Sequence, residues 1–215
     1  MGAITTIDLQ DGDQLVGGES VVTLYRHAIE PRLAADVACE LSSALDWERG
    51  SVVVYGKEHR IPRDTCWYGP VEYHYSGLRH PAAAWHPVLV PLRLAVEDAL
   101  GVELPSVLGN RYRNGDDRVA WHADDEPIFG QTPVIASLSF GTARTFQLRR
   151  KDRTGERIDA ELTAGSLVVM RGDTQLAYEH CVPRRARVVG ERINLTFRTL
   201  DAASQRPQDQ VWRAG

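Results

Sequence analysis

Three side chains of this sequence are of the types that together hold a metal. Trp121-His122-Ala123-Asp124 places an imidazole and a carboxylate two positions apart, and on an extended strand that spacing puts both on one face. His180 follows in the segment Gln175 to Pro183. Two imidazoles and one carboxylate make the facial triad that binds iron(II) and leaves positions open for a chelating cosubstrate and oxygen. The His-x-Asp tripeptide alone does not decide the matter, because its ordinary reading is a surface His beside an Asp. The strand context and the residues downstream carry the argument. His27, His59, His74, His80 and His86 are not followed two residues later by a carboxylate.

The downstream residues alternate without a break from Glu191 to Arg198. With a period of two, Arg192, Asn194, Thr196 and Arg198 share one face, and Ile193, Leu195 and Phe197 share the other. One reading is a half-exposed strand with its polar face in water. The other is a small barrel with that face turned inward, where two buried guanidiniums demand an anion because uncompensated buried charge is expensive. A dicarboxylate meets that demand, since Arg binds carboxylate in a planar, bidentate way. Asn110 and Tyr112 are also two apart on a strand pattern, so they share a face and are able to serve the same ligand or simply to pack.

These residues need elements to position them. A helix is expected over 31–45, with Pro31 in its first turn and Leu33, Val37, Leu41 and Leu45 on one stripe. A strand, a turn at Gly56 and a returning strand are expected over 51–62, and a second helix over 87–100, ended by Gly101. From Ser106 the pattern becomes short strands, with candidates at 106–113, 118–122, 133–140, 144–150, 157–162, 166–171, 176–182 and 191–199. The fold class is therefore mainly β with flanking helices (α+β), a double-stranded β-helix or jelly roll. A single domain is expected over 1–215, with a loosely held start at 1–30 and a catalytic core at 106–200.

Composition sets outer bounds. With 215 residues, 43% of them hydrophobic, the chain suffices for one good core. No apolar run approaches the roughly 20 residues of a membrane span, so no membrane partner is expected. Cys39, Cys66 and Cys181 are odd in number and show no CxxC spacing, and the start lacks a secretory signal pattern, which together point to a cytoplasmic protein. Of the net charge of −4, residues 1–50 contribute −6 through nine acidic and three basic groups, leaving +2 for the rest. Two basic clusters lie there: Arg144, Arg149, Arg150, Lys151 and Arg153, then Arg184, Arg185 and Arg187. Charge alone does not separate a nucleic-acid surface from a solvated face.

The segments NRYRNGDD, WHADDEP, ASLSFGTARTFQLRRK, AGSLVVM, YEHCVPR and RINLTFR, in this order, resemble the AlkB family of iron(II)- and 2-oxoglutarate-dependent dioxygenases that dealkylate nucleic acids. The likeness runs from about Val52 to Thr199, and VVVYGKEHRIPR with WYGPVEYHYSG is most similar to the branch acting on double-stranded DNA. The resemblance implies that residues 50–105 form a nucleotide-recognition lid and its supporting helix. It implies that His122, Asp124 and His180 bind Fe(II), and that Arg192 and Arg198 meet the two ends of 2-oxoglutarate, with Asn110, Tyr112, Asn194 and Thr196 completing that pocket.

The same resemblance implies that Asp125 and Glu126 help to recognise a cationic damaged base, such as 1-methyladenine or 3-methylcytosine, held between Tyr73, Tyr75 and the His122 ring after flipping. Tyr55 is either a simple hairpin residue or the finger that fills the emptied stack, and Arg63, Arg184 and Arg185 are placed to touch phosphate. The function implied is direct-reversal repair of alkylated DNA, with RNA as the other polymer, using molecular oxygen and releasing formaldehyde, succinate and CO2. Alternatives are an RNA or single-stranded-DNA demethylase, a 2-oxoglutarate-dependent hydroxylase of a protein or small molecule, and a non-enzymatic jelly-roll binding module. The protein is expected to be a monomer.

Overall fold

Alternation along Arg192 to Arg198 sorts that strand into two faces, and both are buried. Ile193, Leu195 and Phe197 join a core shared with Leu138, Phe140 and the helix residues Ala34, Val37 and Leu41. Arg192, Asn194, Thr196 and Arg198 face a cavity on the opposite side. The choice left open by the sequence is thereby decided for the inward reading.

The computed structural model describes residues 4–54, 57–75 and 78–201, with the backbone alone at 52–54 and 75. The chain begins with β1 (Gly12–Val16), β2 (Ser20–Tyr25), α1 (Pro31–Ala44), β3 (Ser51–Val54), β4 (Lys57–Arg60), β5 (Asp64–Tyr68), β6 (Tyr73–Tyr75) and β7 (Leu78–His80). A short turn at Pro87–Leu89 leads into α2 (Val90–Leu100), followed by β8 (Ser106–Tyr112), β9 (Val119–His122), β10 (Ile135–Gly141) and β11 (Arg144–Arg150). The remainder is β12 (Ile158–Leu162), β13 (Leu167–Gly172), α3 (Thr174–Ala177), β14 (Tyr178–Val182) and β15 (Arg192–Arg198).

Seven strands form the major sheet in the order β1-β2-β13-β10-β15-β8-β5, and four form the minor sheet in the order β12-β11-β14-β9. Every pairing is antiparallel. Between the sheets, Val22, Leu24, Ile135 and Met170 of the major sheet pack on Phe146, Leu148 and Leu162 of the minor one. This is the jelly roll expected from the strand pattern. The hairpins β3–β4 and β6–β7 stand apart from both sheets. No helix among the described residues is long and apolar enough to cross a membrane.

The helices form where local chemistry favours them. The Glu30 side chain accepts from the Leu33 N–H at 2.9 Å and Pro31 opens α1, which removes orphan donors at the N-terminus. The helix then lays its apolar stripe on β10 and β15. Gly101 closes α2 in the left-handed region at φ 63°, which favours glycine.

Three expectations are corrected. The start is not loosely held from residue 4 onward: β2 pairs with β13, β1 pairs with β2, and Ile4 and Ile7 are buried. The physical reason is the alternation of Ser20 to Tyr25, which sends Val22 and Leu24 into the space between the sheets. The jelly roll consequently does not begin at 106, since β1, β2 and β5 belong to its major sheet. Residues 174–177 form a helical turn, so the strand expected from 176 starts at Tyr178.

Leu24 is fully buried, so Leu24→Ala is expected to lower unfolding stability by about 2–5 kcal/mol in urea titration. A change within about 0.5 kcal/mol, as for a surface site, would show that β2 is not part of the core.

Candidate active site

β9 and β14 are paired so that His122 stands directly opposite His180, and their rings lie 4.3 Å apart between centroids. Asp124 follows just beyond the end of β9, with its Oδ1 3.8 Å from His122 Nε2. The potential ligand atoms of the three residues all lie within 4.8 Å of one another. His122 Nδ1 is 2.9 Å from the Ala120 carbonyl. A carbonyl only accepts, so Nδ1 carries the proton and Nε2 presents its lone pair, the arrangement in which a second partner orients a metal-binding His.

Asp124 is almost fully buried. Its Oδ2 accepts from Arg198 Nε at 3.1 Å and Nη2 at 3.0 Å, and its backbone N–H donates to Gln175 Oε1 at 2.9 Å. Oδ1 is buried without a hydrogen-bond partner among the described residues. A buried carboxylate oxygen left bare is costly, and a divalent cation between Oδ1 and the two imidazoles relieves it. Burial favours the neutral form of Asp124, but Arg198, then His180 and His122, outweigh it and hold the carboxyl below its usual range. Burial, reinforced by His122, pushes His180 down to about 3, and burial likewise lowers His122. Both imidazoles are therefore neutral at pH 7, the form that binds metal.

Beside this cluster lies an anion site. The β8–β15 register sets Asn110 opposite Asn194 and Tyr112 opposite Arg192. Arg192 is 2% exposed; its Nη2 donates to Ser139 Oγ at 3.0 Å, while Nε and Nη1 are buried and without partners among the described residues. Its guanidinium sits 5.2 Å from the Tyr112 ring centre. Asn194 Nδ2 donates to Ser137 Oγ at 2.7 Å and to the Leu138 carbonyl at 2.9 Å, and Thr196 Oγ1 donates to Asn194 Oδ1 at 3.0 Å. A buried cation with two bare N–H groups fits the far carboxylate of a small dicarboxylate whose other end reaches the metal.

The expected recognition residues divide. Glu126 follows Asp124 by two residues: Tyr73 Oη donates to its Oε1 at 3.1 Å, and its Oε2 is buried without a hydrogen-bond partner among the described residues. Burial, then the neighbouring Asp124, raises its carboxyl above the usual range. Asp125 is exposed and accepts from Lys151 Nζ at 2.9 Å. Tyr73 is not an open aromatic wall. Its ring is fully buried, stacked on Trp67 at 4.5 Å and packed by Phe129 at 5.3 Å, so its contribution to the site is its hydroxyl. Tyr55 lies outside the described residues, and Tyr75 is described only as the backbone end of β6.

Arg63 is corrected from a surface phosphate contact: it is 4% exposed and its Nε donates to Asn110 Oδ1 at 2.7 Å, behind the cosubstrate pocket. Arg184 and Arg185 are on an exposed loop, with Arg184 paired to Asp116 at 2.7 Å. The first basic cluster does not form one patch. Arg144 is buried and holds the Asn114, Asp117 and Pro183 carbonyls, while Arg149 lies 3.7 Å over the Trp121 ring. Cys181 is buried, with its thiol pushed up to about 11 by burial.

Sequence reasoning missed Ser137, Ser139 and Gln175. The serines alternate along β10 and face Thr196 and Asn194 across the ladder, so polar residues every second position in an apolar strand were the available signal. Nothing local marks Gln175.

Comparison with known proteins agrees with this geometry. Residues 21–198 match the family described as the 2OG-Fe(II) oxygenase superfamily, which takes in β2 and α1, upstream of the start expected near Val52. The human protein named "Alpha-ketoglutarate-dependent dioxygenase alkB homolog 3" is 38% identical over 192 residues, covering 85% of this chain and 67% of that protein. "DNA oxidative demethylase ALKBH2" of Arabidopsis thaliana is 40% identical over 188 residues, 74% of this chain and 60% of that protein. The human protein of the same name is 35% identical over 179 residues, 78% of this chain and 69% of that protein. A solved structure described as that of OsALKBH1 superposes with a TM-score of 0.57 at 16% identity, over 83% of this chain and 97% of that one, and supports the fold.

Two predictions follow from the geometry. With manganese(II) present, 2-oxoglutarate at a hundred times its Kd is expected to stabilise the protein by about 2.7 kcal/mol and to stabilise Arg192→Met not at all, while the ligand-free variant unfolds at or above the wild-type temperature because a buried charge is gone. Equal stabilisation of both proteins would remove Arg192 from the anion site. Because burial holds His180 at about 3 and lowers His122, manganese(II) affinity should fall by less than about fourfold, the effect of one ordinary imidazole, from about pH 7.5 to about pH 6. A fall of about fourfold or more across that interval in isothermal titration would show that at least one imidazole titrates near its ordinary value.

Proposed function

The chain belongs to the AlkB family within the 2OG-Fe(II) oxygenase superfamily and is a 2-oxoglutarate-dependent dioxygenase, and on that footing we propose that it repairs alkylated DNA by oxidative dealkylation of N-alkylated bases such as 1-methyladenine and 3-methylcytosine. The observation that carries the choice of substrate is Glu126. Its Oε2 is buried and bare, two residues from the metal carboxylate, with Oε1 tethered to Tyr73. Such a carboxyl is raised by burial and by Asp124, and an incoming cationic base is the kind of ligand that restores its charge. Relatives named DNA oxidative demethylase support DNA as the polymer.

His122, Asp124 and His180 would hold Fe(II), and Arg192 would take the distal carboxylate of 2-oxoglutarate. Iron(II) with 2-oxoglutarate and oxygen, once held there, would supply the oxidation of the N-alkyl carbon to a hydroxylated one, with succinate and CO2 as the other products. The hydroxylated methyl group then leaves as formaldehyde, returning the electron pair to the ring nitrogen and the base to neutrality. The work of the chain is orientation. Arg198 keeps Asp124 ionised and directed, Ser139 holds Arg192, and Asn194 is fixed by Ser137, Leu138 and Thr196. A base in a duplex must be extruded to reach this depth.

Succinate and formaldehyde release on 3-methylcytosine oligonucleotides tests the reading. Wild type should form both products in step, and His122→Ala neither. Glu126→Gln should lose about tenfold to a hundredfold in kcat/KM on the cationic lesion, the worth of a charge-assisted hydrogen bond. Succinate without base repair would sink the nucleic-acid assignment. The ratio of duplex to single-strand rates, and its change in Tyr55→Ala, tests the finger.

A further inference from the structure

Asp124 lies beyond the last pairing of its strand. The β9–β14 ladder joins His122 to His180 and Val119 to Val182, and after His122 no ladder bond orients the chain. The carboxylate must nevertheless meet two imidazoles and Arg198 at once. One side chain from a distant segment supplies the missing constraint. Gln175, 1% exposed, accepts the Asp124 N–H through Oε1 at 2.9 Å. Its other amide atom donates to Met170 Sδ at 3.4 Å. The donor and acceptor types of these partners leave one orientation for the amide.

Gln175 is itself held from three directions. Its backbone carbonyl accepts from Lys151 Nζ at 2.8 Å, and the same ammonium reaches Asp125 at 2.9 Å. The preceding Thr174 is 1% exposed; its hydroxyl oxygen accepts from the Val21 N–H at 3.1 Å and donates to the Arg171 carbonyl at 2.6 Å. The Asp173 N–H donates to the Glu19 carbonyl at 3.0 Å. The turn that carries Gln175 is thus fastened to β2 and β13, and the glutamine transmits that fixed position to the metal carboxylate.

We propose that Gln175 is a positioning residue for the metal site: by fixing the peptide of Asp124 it turns Oδ1 toward the imidazole pair while Arg198 takes Oδ2. The inference rests on the reading of His122, Asp124 and His180 as metal ligands. Outer partners of metal ligands typically govern about ten- to a hundredfold in affinity. Gln175 touches neither the cosubstrate pocket nor any open surface, so its effect belongs to the metal and not to the binding of 2-oxoglutarate.

Cobalt(II), titrated into metal-free protein without 2-oxoglutarate and followed by its visible ligand-field bands, reads this directly. Gln175→Met keeps the volume and removes the acceptor; it should bind cobalt about ten- to a hundredfold more weakly, with shifted bands. At saturating metal its KM for 2-oxoglutarate should stay near wild type while kcat falls. Gln175→Glu keeps an acceptor oxygen and should bind cobalt more tightly than Gln175→Met, with bands closer to those of the wild type. Near-ultraviolet circular dichroism checks the fold, and if Gln175→Met does not fold, Gln175→Asn, which keeps the amide but shortens its reach, should show the same loss. Wild-type affinity and bands in a folded Met or Asn variant would overturn the proposal. Absence of cobalt binding in the wild type would instead overturn the metal reading, and this inference with it.

Discussion

The ion pair between Arg198 and Asp124 joins the two halves of the site, and both side chains are at most 3% exposed. Arg198 ends the strand that presents the anion-binding residues; Asp124 belongs to the segment that leaves the minor sheet with the metal ligands. Their contact crosses the space between the sheets. It also solves a charge problem, because either charge buried in such a place alone is costly. With Arg198 on one oxygen, the other oxygen remains for a cation, so one buried pair fixes both the ionisation and the orientation of the carboxylate.

Around that pair the site keeps several polar atoms bare; elsewhere in the described interior Thr65 Oγ1, His80 Nε2 and Arg144 Nε, which do not cluster around one point, are bare as well. Asp124 Oδ1, Arg192 Nε and Nη1, and Glu126 Oε2 are all buried without hydrogen-bond partners among the described residues. Buried polar groups are normally paired, and a local concentration of exceptions is the mark of a place built to receive ligands. The exceptions have three characters: an anion facing two imidazoles, a cation in a polar pocket, and a carboxyl close to the anion. The first two fit a metal and a dicarboxylate; the third is the basis of the proposed cationic base. The protein holds these groups in place with the two sheets and α1, so binding requires little reorganisation.

The N-terminal strands take part in this rigidity. β2 closes the edge of β13, buries Val22 and Leu24 between the sheets, and anchors the turn at Asp173–Ala177 through Thr174. A segment whose Gly-rich flanks suggest looseness is therefore connected to the metal carboxylate through two side chains. The short helical turn lies between two expected strands and takes the first two residues of the one expected over 176–182, and it carries the Gln175 side chain inward.

Periodicity and residue type determined much of this protein. The alternation of Arg192 to Arg198, the His122–Asp124 spacing and the apolar stripe of α1 are local properties, because side-chain direction on a strand or helix follows from backbone geometry alone. From them came the strand-rich fold, the metal ligands and the cosubstrate strand. Tertiary structure decided what depends on distance in space. It sent the polar face of β15 inward, buried Arg63 behind Asn110, absorbed Arg149 over Trp121, and packed Tyr73 into an aromatic cluster. It also brought Gln175 to a backbone N–H that is 51 positions away in the chain. A basic or aromatic residue looks the same in sequence whether it meets solvent, a ligand or another side chain, and only the packing of remote strands assigns its partner.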